Sequence, residues 1–374
     1  MSMNVEIAGK ILLALFSVFF LVQLIYYLFI FSKLAFFKKQ PAVSKNDPVS
    51  VIICARNELK NLRNNLPLIL DQDYPDYQVI VVNDCSWDDS GKALEEYEDA
   101  YPHLKVVTIQ EQERYKHGKK FALSLGIKAA VNEILLFTDA DCRPAGKNWL
   151  REMTKNTSEI KDIVIGYGAY EKTSGLLNKW IRFDTVFNAI QYLSSAISGN
   201  AYMGVGRNLC YKRSLFFKNK GFANHYHILS GDDDLFVNET ATSKNVSVEI
   251  TPESFTLSKP KESFIAWLNQ KKRHISTGNF YKPKHKFMLG VFYFSHIFFY
   301  LTLIALIILK VKPEIVISVF ILRLLIQLFI FGKSMQRLKE LDILWLAPIF
   351  DFCIILIYPI LAISNLFIKN KKWK

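Results

Sequence analysis

Asp139-Ala140-Asp141 sets two carboxylates two residues apart, directly after the short apolar run Glu133–Thr138. Residues i and i+2 at the end of a strand point the same way. Two acids so placed repel each other unless a cation sits between them and a further ligand. Hard oxygen donors with open coordination positions suit Mg²⁺ or Mn²⁺ carrying a diphosphate. The competing reading of acids after a strand is that they cap the next helix; it is the better one for Asp88 and Asp89, and the weaker one for Asp139 and Asp141. Other apolar runs end the same way, in Ala55-Arg56-Asn57-Glu58 and in Asn83-Asp84. No GxGxxG follows a strand and no GxxxxGK[ST] is present, so a nucleotide would have to be held by metal and cations. Lys116, His117, Lys119 and Lys120 open an expected helix, where lysines and the helix N-terminus both attract phosphate. For Lys116 and Lys120 a solvated basic turn is the competing reading. A further acidic group, Asp232-Asp233-Asp234, precedes Leu235-Phe236-Val237. Adjacent carboxylates raise one another's pKa, which suits a general base if one of them faces a pocket; an acidic helix N-terminus is the alternative. His225 and His227 lack a third nitrogen or sulfur ligand at matching spacing.

The elements that must position these groups follow from periodicity. Val49–Cys54, Gln78–Val82, Leu104–Ile109 and Glu133–Thr138 are β-branched or apolar runs with the character of buried strands. The stretches 57–70, 88–99 and 118–130 read as helices between them. Alternation of this kind builds a mostly parallel sheet with crossover helices, and ligands of such sheets sit beyond the carboxyl ends of the strands. The acidic and amide residues named above stand at those ends. Residues 174–198 form an amphipathic stretch, with Leu176, Trp180, Ile181, Phe187, Ile190 and Leu193 near helical spacing. It is expected to pack on the sheet domain; lying on a membrane with Trp180 at the interface is the alternative.

Composition sets the surroundings. Hydrophobic residues make up 51% of the 374, which excludes disordered, collagen-like and coiled-coil chains. A net charge of +13, from 47 Lys+Arg against 34 Asp+Glu, fits anionic lipid head groups or phosphorylated substrates. Nucleic acid would need the same charge, but the apolar ends argue against it. The five cysteines stand far apart without a CxxC, as expected of reduced thiols. Ile11 to Ser32 is uncharged and long enough to span a bilayer core of about 30 Å. Lys33, Lys38, Lys39 and Lys45 follow it, which places residue 33 onward in the cytoplasm. Three apolar runs close the chain: Phe287 to Leu309, Ile315 to Gly332 around Arg323, and Ile343 to Ile368 around Asp351, with Pro348 and Pro359 inside. Three further crossings would put the tail Lys369, Lys371, Lys372 and Lys374 outside, against the charge rule; two crossings and a re-entrant or surface-lying last segment would put it inside. Near-midplane charges are costly alone, so Arg323 and Asp351 are expected to meet. The organisation expected is an anchor over 1–36, a soluble domain over 37–286 and a membrane region over 287–374. Sequons at Asn156, Asn238 and Asn245 are read as chance.

Four of these motifs, in order, resemble the family 2 glycosyltransferases: Val51-Ile52-Ile53-Cys54-Ala55-Arg56-Asn57-Glu58, Val81-Val82-Asn83-Asp84-Cys85-Ser86, Gly118-Lys119-Lys120-Phe121-Ala122-Leu123 and Asp139-Ala140-Asp141. Gly204 to Arg213 is similar to that family's glycine-rich acceptor-side strand. Ser230-Gly231-Asp232-Asp233-Asp234-Leu235 occupies the place of its Glu-Asp-x-x-Leu motif, with Gly231 in place of the Glu. Gln270-Lys271-Lys272-Arg273-His274 resembles the QxxRW signature of membrane-bound members, with His274 in place of the Trp. The resemblance implies an inverting enzyme with a GT-A Rossmann-like α/β fold and membrane helices at both ends. It implies a nucleotide-diphosphate sugar donor, UDP-linked by expectation, and a lipid or glycan hydroxyl as acceptor at the cytoplasmic face of the cell membrane. By the same resemblance Glu58 and Asp84 hold the nucleoside and Lys119 assists at the phosphates. Asp139 and Asp141 position the diphosphate, Asp141 through Mg²⁺ or Mn²⁺. Asp232 is the base, with Asp233 its rival, and Gln270 and Arg273 steady the leaving diphosphate. A nucleotidyl- or phosphoglycosyl-transferase on a polyprenyl phosphate, and a non-catalytic assembly subunit, stay open as alternatives.

Overall fold

The computed structural model describes residues 3–38, 46–110 and 118–367. Lys39, Lys45, Lys116, His117 and the lysines of the C-terminal tail lie outside the described residues. Among the described residues ten strands build two sheets: β1 (Val49–Ala55), β2 (Tyr77–Asp84), β3 (Leu104–Ile109), β4 (Ile134–Asp139), β5 (Cys142–Pro144), β6 (Ile163–Ile165), β7 (Gly168–Tyr170), β8 (Leu209–Lys212), β9 (Val246–Val248) and β10 (Thr256–Ser258). The larger sheet has the order β3-β2-β1-β4-β8-β6-β9, and the smaller the order β5-β10-β7.

β1 lies inside the larger sheet, between β2 and β4, because both of its faces are apolar. Val49, Val51 and Ile53 enter one core, Ile52 the other, as strands covered on both faces do. It pairs in parallel with β2 (Val49↔Tyr77) and with β4 (Val49↔Ile134). The connecting helices Leu59–Leu70, Ser90–Ala100 and Lys119–Ala129 fall where the apolar period places them, with ends within two residues of the expected ones. Gly126 lets the last of these approach the sheet closely, since a Cβ there would come within 2.8 Å of Ile52 and 3.0 Å of Val82. β8 runs antiparallel to β4 and to β6, and carries the second half of the domain back across the sheet.

Helix Leu176–Ile197 packs on the domain, and more completely than an amphipathic pattern implies. Its polar residues Asn178, Arg182, Asp184, Gln191 and Ser194 are buried along with its apolar ones. Trp180 is buried edge-on between Trp267 and Phe350, with ring centroids 5.4 and 5.2 Å away. Among the described residues, four helices are long and apolar enough to cross a membrane: Glu6–Ala35, Pro283–Ile308, Pro313–Arg337 and Leu341–Asn365. Arg323 and Asp351 meet at 3.1 Å, both fully buried. The pair is the centre of a network. Arg323 donates to Gln327 (2.8 Å), Gln23 (3.2 Å) and Tyr27 (2.9 Å), while Asp351 accepts from Tyr300 (3.0 Å) and lies 3.1 Å from His296. All four apolar helices contribute to it.

Asn238 and Asn245 are buried, and Asn156 donates to Glu249, in keeping with sequons that arose by chance.

Candidate active site

The loops after β1 and β2 tie each other down. Asn57 adopts a left-handed backbone, φ 54°, and its side chain accepts from the Trp87 N–H at 2.9 Å. Cys85 turns the chain in the same way after β2, φ 53°. Asp88 accepts from the backbone N–H groups of Ser90 (3.1 Å) and Leu59 (3.3 Å), which caps two helix starts at once. Burial works against its charge, but these bonds outweigh burial and lower its pKa. Capping is therefore its job. Asp84, the last residue of β2, is fully buried, and the β1–β2 register (Ala55↔Asn83) sets it beside the loop carrying Glu58. The Glu58 carboxylate accepts from Asn61 at 2.5 Å.

Asp139 ends β4 itself, one residue later than the sequence pattern implies, and Cys54 of β1 is its register partner. Lys119, the first residue of its helix, extends its ammonium to the Asp139 carboxylate at 2.8 Å and to that of Asp232 at 3.0 Å. Burial disfavours the charge on Lys119; the two carboxylates overcome this and push its pKa well above the ordinary value. One cation thus joins a carboxylate from the first half of the domain to one from the second. Cys54, Thr138, Gly206, Tyr211 and Asp233 also line this small cleft, over a floor of Leu123, Phe137 and Leu209.

The three adjacent aspartates face three ways. Gly231, at φ +93°, turns the chain so that Asp232 precedes the helix Asp234–Thr240 rather than opening it, and its carboxylate enters the cleft. Asp233 turns inward and accepts from the N–H groups of Gly206 (2.6 Å) and Asp234 (2.8 Å). Burial and the neighbouring charges of Asp232 and Asp234 push its pKa up to about 7. Asp234 accepts from Thr277 and from Tyr281 (2.8 Å), tying the cluster to the end of helix Phe264–Thr277.

That helix carries Gln270 and Arg273. Gln270 donates to the Tyr170 hydroxyl at 3.3 Å. The Arg207 guanidinium lies over the Tyr170 ring, 4.6 Å from its centre, and donates to Ser258 at 2.9 Å. The Arg207 carbonyl in turn accepts from Thr138, next to Asp139, at 3.0 Å. Gln270 is thereby connected to the end of β4 through Tyr170 and Arg207. Arg273, half-buried, lies three residues further along the same helix. Asp139, Lys119 and Asp232 are thus brought into direct contact and Asp141 stands beside Asp139. Glu58 and Asp84 line the neighbouring strand ends, and Gln270 forms part of the adjoining wall.

Asp139, Asp141 and Cys142 place one ligand atom each within 4.8 Å of one another. Burial, then the charges of Asp141 and Asp139, raise the Cys142 thiol well above its ordinary pKa, so the donors on offer are two hard carboxylates and a protonated sulfur. That set fits Mg²⁺ or Mn²⁺ better than a thiophilic metal.

One lysine reading needs correction. Lys120 is neither a phosphate ligand nor solvated: it is 4% exposed and donates to the carbonyls of His225 (2.6 Å) and Ile228 (3.0 Å). Burial lowers its pKa to about 8. Lys271 and Lys272 are buried as well. Lys271 is buried against Asp184 at 2.9 Å, and Lys272 donates to Ser364 at 2.6 Å. Tyr170 carried no signal in the sequence. Asp184 did carry one, as the lone acid of the helix Leu176–Ile197.

In fold the chain is similar to the mannosyltransferase PcManGT from Pyrobaculum calidifontis, solved in complex with GDP-Man and Mn2+. The TM-score is 0.57 over 93% of this chain and 98% of that one, at 18% identity. The α/β GT-A architecture with apolar helices at both ends is therefore the observed one. The chain carries a family 2 glycosyl transferase domain: residues 50–217 match that family's model. It is 35% identical over 104 residues to glycosyltransferase AglE of Haloferax volcanii, which covers 27% of this chain and 33% of that protein. It is 25% identical over 272 residues to the probable glycosyltransferase YdaM of Bacillus subtilis, covering 67% and 63%. In both cases the chain spans less than two thirds of the relative's length.

Proposed function

We propose that the protein is an inverting glycosyltransferase, moving a sugar from a nucleotide-diphosphate donor to a hydroxyl of a lipid or glycan at the cytoplasmic membrane face. The observation that carries this reading is the position of Lys119, which spans Asp139 and Asp232. It brings the carboxylate assigned to the donor diphosphate and the carboxylate assigned to the acceptor proton into one cleft. Glu58 and Asp84, at the ends of neighbouring strands, bind the nucleoside. Asp139 and Asp141 hold a divalent cation, Mg²⁺ or Mn²⁺. When bound, that ion neutralises charge on the diphosphate and so improves it as a leaving group. Lys119 adds a second positive charge there, and Gln270 and Arg273 steady the departing diphosphate.

In the reaction the acceptor oxygen attacks the anomeric carbon as the bond from that carbon to the diphosphate oxygen breaks. The electron pair leaves with the diphosphate. The acceptor proton passes to an Asp232 carboxylate oxygen, since a hydroxyl becomes a competent nucleophile only as its proton is removed. Asp233 is engaged by two backbone N–H groups and does not serve. Release of nucleoside diphosphate from a panel of nucleotide sugars by the purified protein tests the reading. Release that depends on an added acceptor and is lost in Asp232→Asn supports it; no release from any donor counts against it.

A further inference from the structure

We propose that the last apolar segment, Leu341–Asn365, does not cross the membrane. It lies within the leaflet next to the soluble domain and presents one apolar stripe to lipid acyl chains.

The other three long helices fix the directions. Arg337, at the end of Pro313–Arg337, donates to the Ala35 carbonyl at 2.9 Å, and Ser194 of the soluble domain donates to the Phe31 carbonyl at 3.3 Å. Ala35 and Arg337 therefore end on the domain side. At the opposite end Gly9 lies against Val311, where a Cβ would come within 3.1 Å. Both ends of the last segment return to the domain. At its start Glu340 and Asp342 accept from Arg182 (2.8 and 2.7 Å), and Asp342 also from Lys172 (2.7 Å). Midway, Phe350 packs on Phe183 at 5.4 Å and the Tyr358 hydroxyl donates to Asp184 at 2.5 Å. At its end Ser364 accepts from Lys272 (2.6 Å) and Asn365 donates to the Lys272 carbonyl at 2.9 Å. A helix from 347 to 365 is about 27 Å long at 1.5 Å per residue, nearly the thickness of a bilayer core. Had it crossed, Asn365 would lie far from every residue of the soluble domain.

The two faces of the segment agree with this placement. Trp345, Ile349, Phe352, Leu356, Ile360 and Ile363 recur at helical spacing and are 39–66% exposed, whereas Phe350, Ile354 and Leu361 on the opposite side are buried. The exposed stripe is continuous with helices that do span, so the occupant it fits is hydrocarbon rather than water. The described part of the segment thus ends, at Asn365, on the side of the soluble domain where Ala35 and Arg337 end.

Side-specific labelling of the full chain in sealed membrane vesicles, with a membrane-impermeant maleimide, tests the proposal. Single cysteines are introduced by Lys92→Cys in the soluble domain, by Lys310→Cys between two spans, and by one cysteine appended after residue 374, with the native cysteines replaced by serine. The appended cysteine should react from the same side as position 92, and position 310 from the other. Reaction of the appended cysteine together with position 310 overturns the proposal. Protease protection of a C-terminal epitope tag gives the same answer with the native cysteines kept, should their removal prevent folding. A spin label on Ile360→Cys should be relaxed by oxygen, which partitions into lipid, and not by a water-soluble nickel complex. Relaxation by nickel, or by neither reagent, refutes lipid as the occupant of the stripe.

Discussion

Replacing Asp232 and Asp233 in turn by Asn separates a chemical role from a structural one at neighbouring positions. Asp232→Asn keeps the shape of a side chain that meets Lys119 in the cleft and removes its ability to take a proton. If Asp232 is the base, turnover should fall on the order of a hundredfold or more, the common size of such a contribution. A hundredfold loss corresponds to about 2.7 kcal/mol of transition-state stabilisation. Donor affinity should change little, because Asp139 and Lys119 remain. In Asp233→Asn the amide can offer one oxygen where the carboxylate offers two, to the N–H groups of Gly206 and Asp234. Its NH₂ would then confront a buried N–H. Leaving such a donor unsatisfied costs about 1–3 kcal/mol, so the expected result is lower thermal stability and near-normal turnover in the protein that remains folded. Nucleoside diphosphate release, donor titration calorimetry and thermal melts in detergent together read all three quantities. A large turnover loss in Asp233→Asn with little in Asp232→Asn would refute the assignment. Loss in neither would remove catalysis from this cluster altogether.

Asp141→Ala should abolish transfer with no change in melting temperature, and chelator should do the same to the unmodified protein; full activity in excess chelator would exclude the cation. Asp351→Asn should lower folded yield sharply, since breaking one partner of a buried ion pair typically costs about 3–5 kcal/mol. The double exchange Arg323→Asp with Asp351→Arg should recover only part of that yield, because Gln23, Tyr27 and Gln327 are arranged around the guanidinium and His296 and Tyr300 around the carboxylate; full recovery would mean that the surrounding network is idle. His225 is pulled down to about 4, by burial first and by Lys120 second. Between that value and its ordinary pKa near 6.5 the unfolded chain binds a proton that the folded one refuses, so its contribution to stability is lost as pH falls through that window. Urea titrations of His225→Phe against the unmodified protein should show a smaller loss over the same range in the variant; parallel curves would refute this.

The legible parts of the molecule were those whose local pattern and final environment coincide. Val49–Cys54 is apolar at every position but Ser50 because the strand is covered on both faces, and the motif after it could be placed on a strand end before any coordinates. β5, β6, β7, β9 and β10 are three residues each, too short to show a period. Charge misled wherever burial was decided at long range. Lys120 and Lys271 are ordinary basic residues in sequence, yet each is inserted into the interior by a partner more than eighty positions away. Helix Leu176–Ile197 looks one-sided from the spacing of its apolar residues alone, whereas Glu340 and Lys271 cover its Arg182 and Asp184 as well. Asp232 and Asp233 could not be ranked by pattern, since both line the cleft and only long-range contacts separate them: Lys119 reaches Asp232, while the Gly206 N–H engages Asp233.

The buried network around Arg323 bears on the order in which the protein is made. Gln23 and Arg323 are 300 positions apart, and at roughly 5–20 residues per second the ribosome needs about 15–60 s to travel between them. Throughout that interval the first helix resides in the bilayer with Gln23 and Tyr27 lacking the guanidinium that later unites them. The carboxylate that completes the cluster, at Asp351, emerges later still. Maturation of the membrane part is therefore a late closure of the first apolar helix upon the last two, and a chain truncated shortly before Asp351 would hold a buried arginine with no counter-ion.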